Sequence, residues 1–316
     1  MKYRHLVNSG LEVSEIGLGT NNFGGRMDAG QADSVINAAI DLGINLIDTA
    51  DIYSHGVSEE YIGRAVGDKT GKRESVLIAT KFGMQWDDGP HGVGGSRKRV
   101  MDGVEGSLRR LQTDYIDLFQ FHRPDPNTPI SETLQAMDDL VRDGKVRYIG
   151  NSNFAAWQIA DASWVATTEH LTQFVSAQPE YSMLVRNIES EIVPACHRYG
   201  LGILPFFPLA MGVLTGKYKR GADIPDGTRL AGMPAERRDG RLTDSNFGVI
   251  EQLEPWARDR GHSLLELAFA WLLATPEVSS VIAGASNPEQ LAQNARACEW
   301  VLSSEEKAEV DGMLGG

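Results

Sequence analysis

Leu46-Ile-Asp-Thr-Ala-Asp-Ile-Tyr-Ser-His-Gly-Val-Ser-Glu-Glu60 is the stretch on which the reading of this chain turns. An apolar run over 44–47 has the length and content of a buried strand, and it stops at Asp48, where polar residues take over. Helix punctuation comes at once, with Ser58 as a candidate N-cap. A strand that ends in a carboxylate at position 48, with a tyrosine at position 53, has the pattern of a site at a strand's C-terminal end.

The same unit recurs outward from it. Short apolar strands are expected at 15–18, 45–48, 76–80, 115–121, 146–150, 173–177, 202–205 and 280–283, each followed by a polar loop and an amphipathic helix. Val35, Ala39 and Leu42 keep helical spacing up to Gly43; Val100, Val104, Leu108 and Leu111 do so after Ser96. Leu134, Met137, Leu140 and Val141 form another helix face, closed by Gly144. Asn187 is a candidate start for the helix that Gly200 ends, and Ser263, Asn287 and Ser303 are candidate caps for the last three. Eight strand–helix units without a break in composition predict a single (β/α)8 TIM barrel over residues 1–316, preceded by an N-terminal β-hairpin at 3–14. One interval is out of pattern. Residues 216–246, after the seventh strand, are rich in Gly, Arg, Asp and Pro, and are expected to form a long, mobile loop over the site.

Composition narrows the function. The 316 residues are 41% hydrophobic and 23% charged, with a net charge of −13, so no phosphate-backbone or nucleic-acid partner is expected. Polar Asn8 and Ser9 come after the first residues, and no apolar run approaches the ~20 residues of a membrane span, so a soluble, cytoplasmic protein is expected. Two isolated cysteines, Cys196 and Cys298, read as packing residues of a reducing compartment.

In a barrel, strand-end residues share one mouth. Asp48 and Tyr53 come after the second strand, Lys81 after the third and His122 after the fourth. Taken singly, Lys81 reads as an ordinary strand-end cation, His122 as a core histidine and Tyr53 as a packing aromatic; together they suit one reaction. A tyrosine titrates near ~10, and a buried ammonium at its hydroxyl would ease proton release. Asp48 would hold Lys81 in place, and a neutral His122 would orient a carbonyl oxygen. Carbonyl reduction by hydride transfer is the matching class.

On these residues the chain resembles the aldo-keto reductases, in the branch of bacterial reductases and potassium-channel β subunits. Asp48-Thr-Ala-Asp-x-Tyr53-x-x-Gly56-x-Ser58-Glu59 is similar to the family's second-strand signature, and Lys81 and His122 complete the resemblance to its catalytic tetrad. The resemblance implies NADPH as cofactor, with NADH as a weaker possibility, and a small-molecule carbonyl substrate. Gly19, Thr20 and Asn21 then lie near the nicotinamide ribose beside Asp48; Ser152, Asn153 and Gln178 hold the carboxamide; Phe206 stands where a stacking tyrosine is usual. Pro208, Leu209, Gly212, Leu214, Gly216 and Lys217 form the pyrophosphate segment, and Gly284, Ser286, Gln290 and Asn294 the 2′-phosphate segment. Gln290 replaces a common arginine, leaving Lys217, Ser286 and Arg229 to supply contacts. Trp86, Tyr53 and His122 are the expected substrate wall.

Three other readings compete. Gly17-Leu-Gly-Thr-Asn-Asn-Phe-Gly24 is close to a Rossmann fingerprint, but Asn22 takes its third glycine position and no helix opens directly after it. A metal-dependent hydrolase would use Asp48, Asp51, His55 and His122, but no His-x-His or His-Glu-x-x-His spacing supports it and no metal is expected. A nucleotide-sensing regulatory subunit with slow turnover is the alternative function. Oligomeric state, physiological substrate and reaction direction are not legible.

Overall fold

The computed structural model describes residues 1–315. A hairpin of β1 (Tyr3–His5) and β2 (Glu12–Ser14) opens the chain. Eight parallel strands come next: β3 (Ile16–Gly19), β4 (Leu46–Asp48), β5 (Leu77–Phe82), β6 (Ile116–Phe121), β7 (Val146–Ser152), β8 (Phe174–Gln178), β9 (Gly202–Ile203) and β10 (Val281–Gly284). Each pairs with its neighbour in chain order, and β10 returns to pair with β3. Between β9 and β10 there is no regular ladder. Ile203 N–H donates to the Glu277 carbonyl, Ser279 N–H to that of Ile203, and Ile282 N–H to that of Pro205, at 2.7, 3.0 and 2.9 Å. These three bonds close the (β/α)8 barrel.

All eight expected strands are present, displaced by one or two residues at most ends. Helices α1 (Ala29–Asp41), α2 (Val57–Val66), α3 (Arg97–Leu111), α4 (Ile130–Arg142), α5 (Ala156–Thr168) and α6 (Ile192–Tyr199) come after β3 to β8 in turn. Then come α7 (Ala235–Asp239), α8 (Asp244–Arg258), α9 (Leu264–Leu273), α10 (Pro288–Ala297) and α11 (Ser304–Met313). Ser96, Ser263, Asn287 and Ser303 cap their helices as expected, and Gly43, Gly144 and Gly200 take left-handed φ of 76°, 75° and 72° at helix ends.

Two local expectations fail for identifiable reasons. Ser58 is not an N-cap: α2 starts at Val57 after Gly56, and the Ser58 hydroxyl donates into the barrel wall, to Thr20 Oγ1 at 2.9 Å. Asn187 does not start α6, because Arg186 and Tyr181 both bond Glu189 and hold 186–189 outside a helix; α6 begins at Ile192, with Pro194 tolerated in its first turn. The 216–246 interval is a long loop after β9, as expected, with the short α7 and the first residues of α8 inside it. Among the described residues no helix is long and apolar enough to cross a membrane.

The core has two parts. The larger joins the outer face of the barrel to the helices. The smaller lies inside the barrel, where Leu46, Ala79, Leu118, Leu204 and Ile282 meet Leu6, Leu11 and Val13 of the hairpin. The hairpin thus plugs the N-terminal end of the barrel, and a ligand site is left to the opposite mouth.

The α2–α3 crossing is close enough to require glycine. A Cβ on Gly63 would fall on the Arg110 carbonyl oxygen and within 2.7 Å of Leu111 C, both backbone atoms. Alanine there gains about 1 kcal/mol in helix propensity but incurs an overpacking cost of roughly 1–3 kcal/mol, at the upper end because backbone cannot turn aside. Gly63→Ala is therefore expected to lower the urea midpoint with an unchanged slope; a midpoint equal to or above wild type would contradict this packing account.

Candidate active site

Asp48, the last residue of β4, is buried at 2% exposure and gathers the inside of the barrel around it. Lys81 on β5, with no exposed surface, donates to Asp48 Oδ2 and to the Thr49 carbonyl, both at 2.7 Å. Gln178 on β8 donates to Asp48 Oδ1 at 2.8 Å, and Gln120 on β6 at 3.4 Å. Thr20, just past β3, donates its hydroxyl to the Asp48 carbonyl at 2.9 Å. A carboxylate and an ammonium this deep persist only because each is paired and hydrogen-bonded. Burial alone would pull the Lys81 ammonium's pKa down, but Asp48 and Tyr53 outweigh it and hold it above its usual value. Lys81 is thus a fixed positive charge.

Tyr53 lies over that charge, with the ammonium 5.2 Å from the ring centre. Burial is the largest influence on its phenol and raises the pKa; Lys81 pulls down and Asp48 pushes up, and the net is above the ordinary value of 10. Lys81 therefore acts in the expected direction without winning, and the phenol is firmly protonated at neutral pH. The turn just past Tyr53 is strained. Ser54 and His55 have φ of 48° and 53°, and Gly56 has 90°. Non-glycine residues in this region cost of order 1–3 kcal/mol each. The Ser54 hydroxyl, which donates to the Phe23 carbonyl at 2.8 Å, holds this turn, as does His55 stacked on Trp86 at 4.1 Å.

His122, at the end of β6, meets the Tyr53 ring edge-on at 6.0 Å. Burial, with help from Lys81 and Arg123, lowers its pKa to about 3, so the ring is neutral at pH 7. Its Nδ1 is buried without a partner. The single ring proton is better placed on Nε2, the nitrogen left to face the cavity, where a ligand can accept it.

These groups form the inner end of a cavity of about 1220 Å³ that runs along the C-terminal mouth. Tyr53 and His122 line it, while Lys81 stands behind them. Of the residues expected to hold a cofactor, all line this cavity except Leu214, which is fully buried in the core, and Gly216. Trp86 is not in the lining. It is packed between His55 and Arg110, whose guanidinium lies 4.8 Å from its ring. Arg229 does line the cavity, but over the Phe207 ring rather than at the far end with Ser286.

The alternative metal set does not converge. Asp51 is paired with Arg99 at 2.5 Å and His55 is turned onto Trp86. Among the described residues no group of three or more His, Cys, Asp or Glu side chains is arranged to hold a metal ion.

The polar lining near Tyr53 has its donors engaged and its acceptors free. Gln178 directs its NH2 to Asp48; the Ser152 hydroxyl donates to the Gln178 carbonyl at 2.8 Å; Asn153 directs its NH2 to the His122 carbonyl and to Ser152 Oγ, both at 3.0 Å. The side-chain carbonyls of Gln178 and Asn153 are left for a ligand N–H. Further along, the 205–217 segment turns through left-handed residues at Phe207, Ala210, Met211 and Gly212, and Lys217 Nζ crosses so close to Gly212 that a Cβ there would lie 3.0 Å from it. At the far end the N-terminus of α10 faces the cavity. Gln290 accepts from Ser286 N–H at 2.9 Å and so serves the turn, while Arg296 brings a cation to the lining.

Gln120, Arg26, Arg123 and Arg296 escaped the sequence reading. Gln120 sits inside an apolar strand, and its inward alternation with Leu118 was the only available signal. The arginines lie in loops or on a helix flank, where spacing carries no information.

Comparison with known proteins shows the family. A family model described as "Aldo/keto reductase family" matches residues 15–314. The chain is 39% identical over 305 residues to a "Probable voltage-gated potassium channel subunit beta" of Oryza sativa subsp. japonica, covering 95% of this chain and 92% of that one. It is 35% identical over 323 residues to "Aldo-keto reductase YhdN" of Bacillus subtilis (strain 168), covering 99% and 94%.

Proposed function

The chain belongs to the aldo/keto reductase family, and from that premise we propose that it reduces an aldehyde or ketone to an alcohol with NADPH, Tyr53 being the proton donor. Residues 1–316 act as one domain in this reading, Gly316 lying outside the described residues. Carbonyl reduction with a nicotinamide cofactor is the general chemistry of the family. The observation that carries the finer reading is the Asp48–Lys81–Tyr53–His122 cluster, four side chains from β4, the turn that comes after it, β5 and the residue just past β6, at the inner end of one cavity.

When bound, the reduced nicotinamide supplies the hydride that reaches the carbonyl carbon. The free side-chain carbonyls of Gln178 and Asn153 would hold the carboxamide NH2 of that ring, and Phe206 would offer a ring face to stack on. Lys217 and the turned backbone beside it suit a pyrophosphate, and the N-terminus of α10 with Ser286 and Arg296 suits a 2′-phosphate. This favours NADPH over NADH. His122 Nε2–H holds the substrate oxygen, Tyr53 gives it the proton as negative charge develops, and Lys81 stabilises the phenolate left behind. Asp48 keeps Lys81 charged and in place.

Similarity to the rice channel subunit favours a second reading, a nucleotide-sensing subunit that binds NADPH and turns over slowly. One experiment separates the two. NADPH oxidation is monitored across a panel of sugars, short aldehydes and aromatic ketones, and repeated with NADH. Turnover faster with NADPH than with NADH is expected. Tight NADPH binding with no consumption across the panel would transfer the conclusion to the sensing role.

A further inference from the structure

Two residues before Tyr53 stands a buried ion pair that takes no part in the steps described above. Asp51 and Arg99 are 1% and 4% exposed; Arg99 Nη2 donates to Asp51 Oδ2 at 2.5 Å and, more weakly, to the Met84 carbonyl at 3.4 Å. Neither side chain lines the cavity. Asp51 Oδ1 and Arg99 Nε are both buried without a partner. Burial is the largest influence on the Asp51 carboxyl and holds its pKa above the usual value, against the pull of Arg99 and then of Arg110. A pair this dry, with an orphan atom on each side, adds little to stability, and apolar side chains of similar size would serve the fold as well or better.

What distinguishes the pair is its place. Asp51 N–H donates to the Lys81 carbonyl at 3.0 Å, and Tyr53 N–H to that of Ala50 at 3.1 Å. Asp51 thus fastens the chain beyond β4 to the residue whose ammonium lies under the Tyr53 ring. Arg99 grips the same residue from α3. It is the third residue of that helix, and its N–H donates to the capping Ser96 Oγ at 3.4 Å, so the side chain starts from fixed backbone. Its guanidinium lies across the bare backbone of Gly103, one turn on, where a Cβ would fall 2.8 Å from Nη1. Arg99 therefore joins α3, the segment past β4 and the loop after β5 at one point.

We propose that Asp51 and Arg99 are positioning residues for the proton donor, the pair fixing the 49–53 segment so that the Tyr53 hydroxyl stays beside the Lys81 ammonium. This rests on the reductase reading above. The turn beyond Tyr53 is strained at Ser54 and His55, and without an anchor on its near side its relaxation would carry the ring along. Misplacing a reacting group by about 1 Å costs on the order of 100-fold in rate.

Arg99→Met combined with Asp51→Leu, in the full chain, removes the pair without stranding a charge. Its urea midpoint is expected to match or exceed that of the wild type. Its NADPH affinity should stay within about threefold while kcat falls about 10- to 100-fold. The charges acting on the Tyr53 phenol are Lys81, Asp48 and Arg229, and the neutral His122 ring meets it edge-on. A tyrosine that drifts from Lys81 loses the group that lowers its pKa, so alcohol oxidation by NADP⁺, which needs the phenolate, should rise at higher pH than in the wild type. Arg99→Lys keeps a cation for Asp51 and should recover part of the rate lost in Arg99→Met. Gly103→Ala keeps both partners but displaces the guanidinium; it should lower kcat about threefold to tenfold, and it decides the matter if the double variant does not fold. A stable double variant with wild-type kcat would overturn the proposal, as would one that loses NADPH affinity in step with its rate. Hydrogen exchange of peptides covering 49–56, measured on the same proteins without substrate, should quicken in the double variant. Quickened exchange in a protein whose wild type reduces no carbonyl would refute the reductase reading and sustain the anchoring; unchanged exchange would refute the anchoring whatever the turnover.

Discussion

Tyr53→Phe is expected to lower kcat by about 10²–10⁴-fold, the usual range for loss of a general acid, and to leave NADPH affinity within about threefold. The substitution removes one oxygen and little else. The ring keeps its edge-on contact with His122 at 6.0 Å and its place 5.2 Å above the Lys81 ammonium. The strained turn at Ser54 and His55 depends on backbone and on the Ser54 hydroxyl, so it should persist. The loss is confined to the only phenol of the cluster, and the alkoxide that forms after hydride transfer then has no nearby proton. Initial rates with the best carbonyl substrate and quenching of tryptophan emission by NADPH give the two quantities. Wild-type turnover in this variant would sink the mechanism; loss of NADPH binding in step with the rate would move Tyr53 from proton transfer to cofactor binding.

Lys81→Met should be more disruptive, because it strands a charge. The thioether fills nearly the same volume, but Asp48 is left as an unpaired carboxylate at 2% exposure and the Thr49 carbonyl loses its donor. Breaking a buried pair by removing one partner costs about 3–5 kcal/mol, readable in urea unfolding. Lys81→Met combined with Asp48→Asn should regain part of that stability and none of the activity. The pH dependence of the reverse reaction, alcohol oxidation by NADP⁺, adds a more specific check. Oxidation needs the phenolate, so its rate rises as pH climbs through the Tyr53 pKa. Lys81 lowers that pKa; its removal raises it, and the rising limb should move to higher pH. A variant that remains active with its limb unmoved would refute the Lys81–Tyr53 coupling.

The barrel was legible because its signals are local. Each strand is a short apolar run and each helix has a cap or a terminal glycine, as at Ser96, Ser263 and Gly144. The polar cluster was legible for a related reason, since in a barrel the chain position of Asp48, Lys81 and His122 at strand ends fixes where they point. Position does not fix contacts. Trp86 sits after a strand as the others do, yet stacking on His55 and the Arg110 guanidinium draw it out of the cavity. Ser58 stood where a cap was expected, but a buried hydroxyl on Thr20 offered it a partner thirty-eight positions away. The balance at Tyr53 was also out of reach, because burial, which outweighs Lys81 there, is set by residues far apart in sequence.

The join between β9 and β10 has one more consequence. β9 is only two residues long, and the chain leaves it through Leu204 and Pro205 directly into Phe206, which lines the cavity. The Pro205 carbonyl accepts from Ile282 N–H, and Phe206 bridges both to Ile282 and to Glu180. A ring stacked on Phe206 would therefore rest on the β9–β10 seam of the barrel. A nucleotide that binds the folded barrel there would add its binding free energy to the stability of the fold.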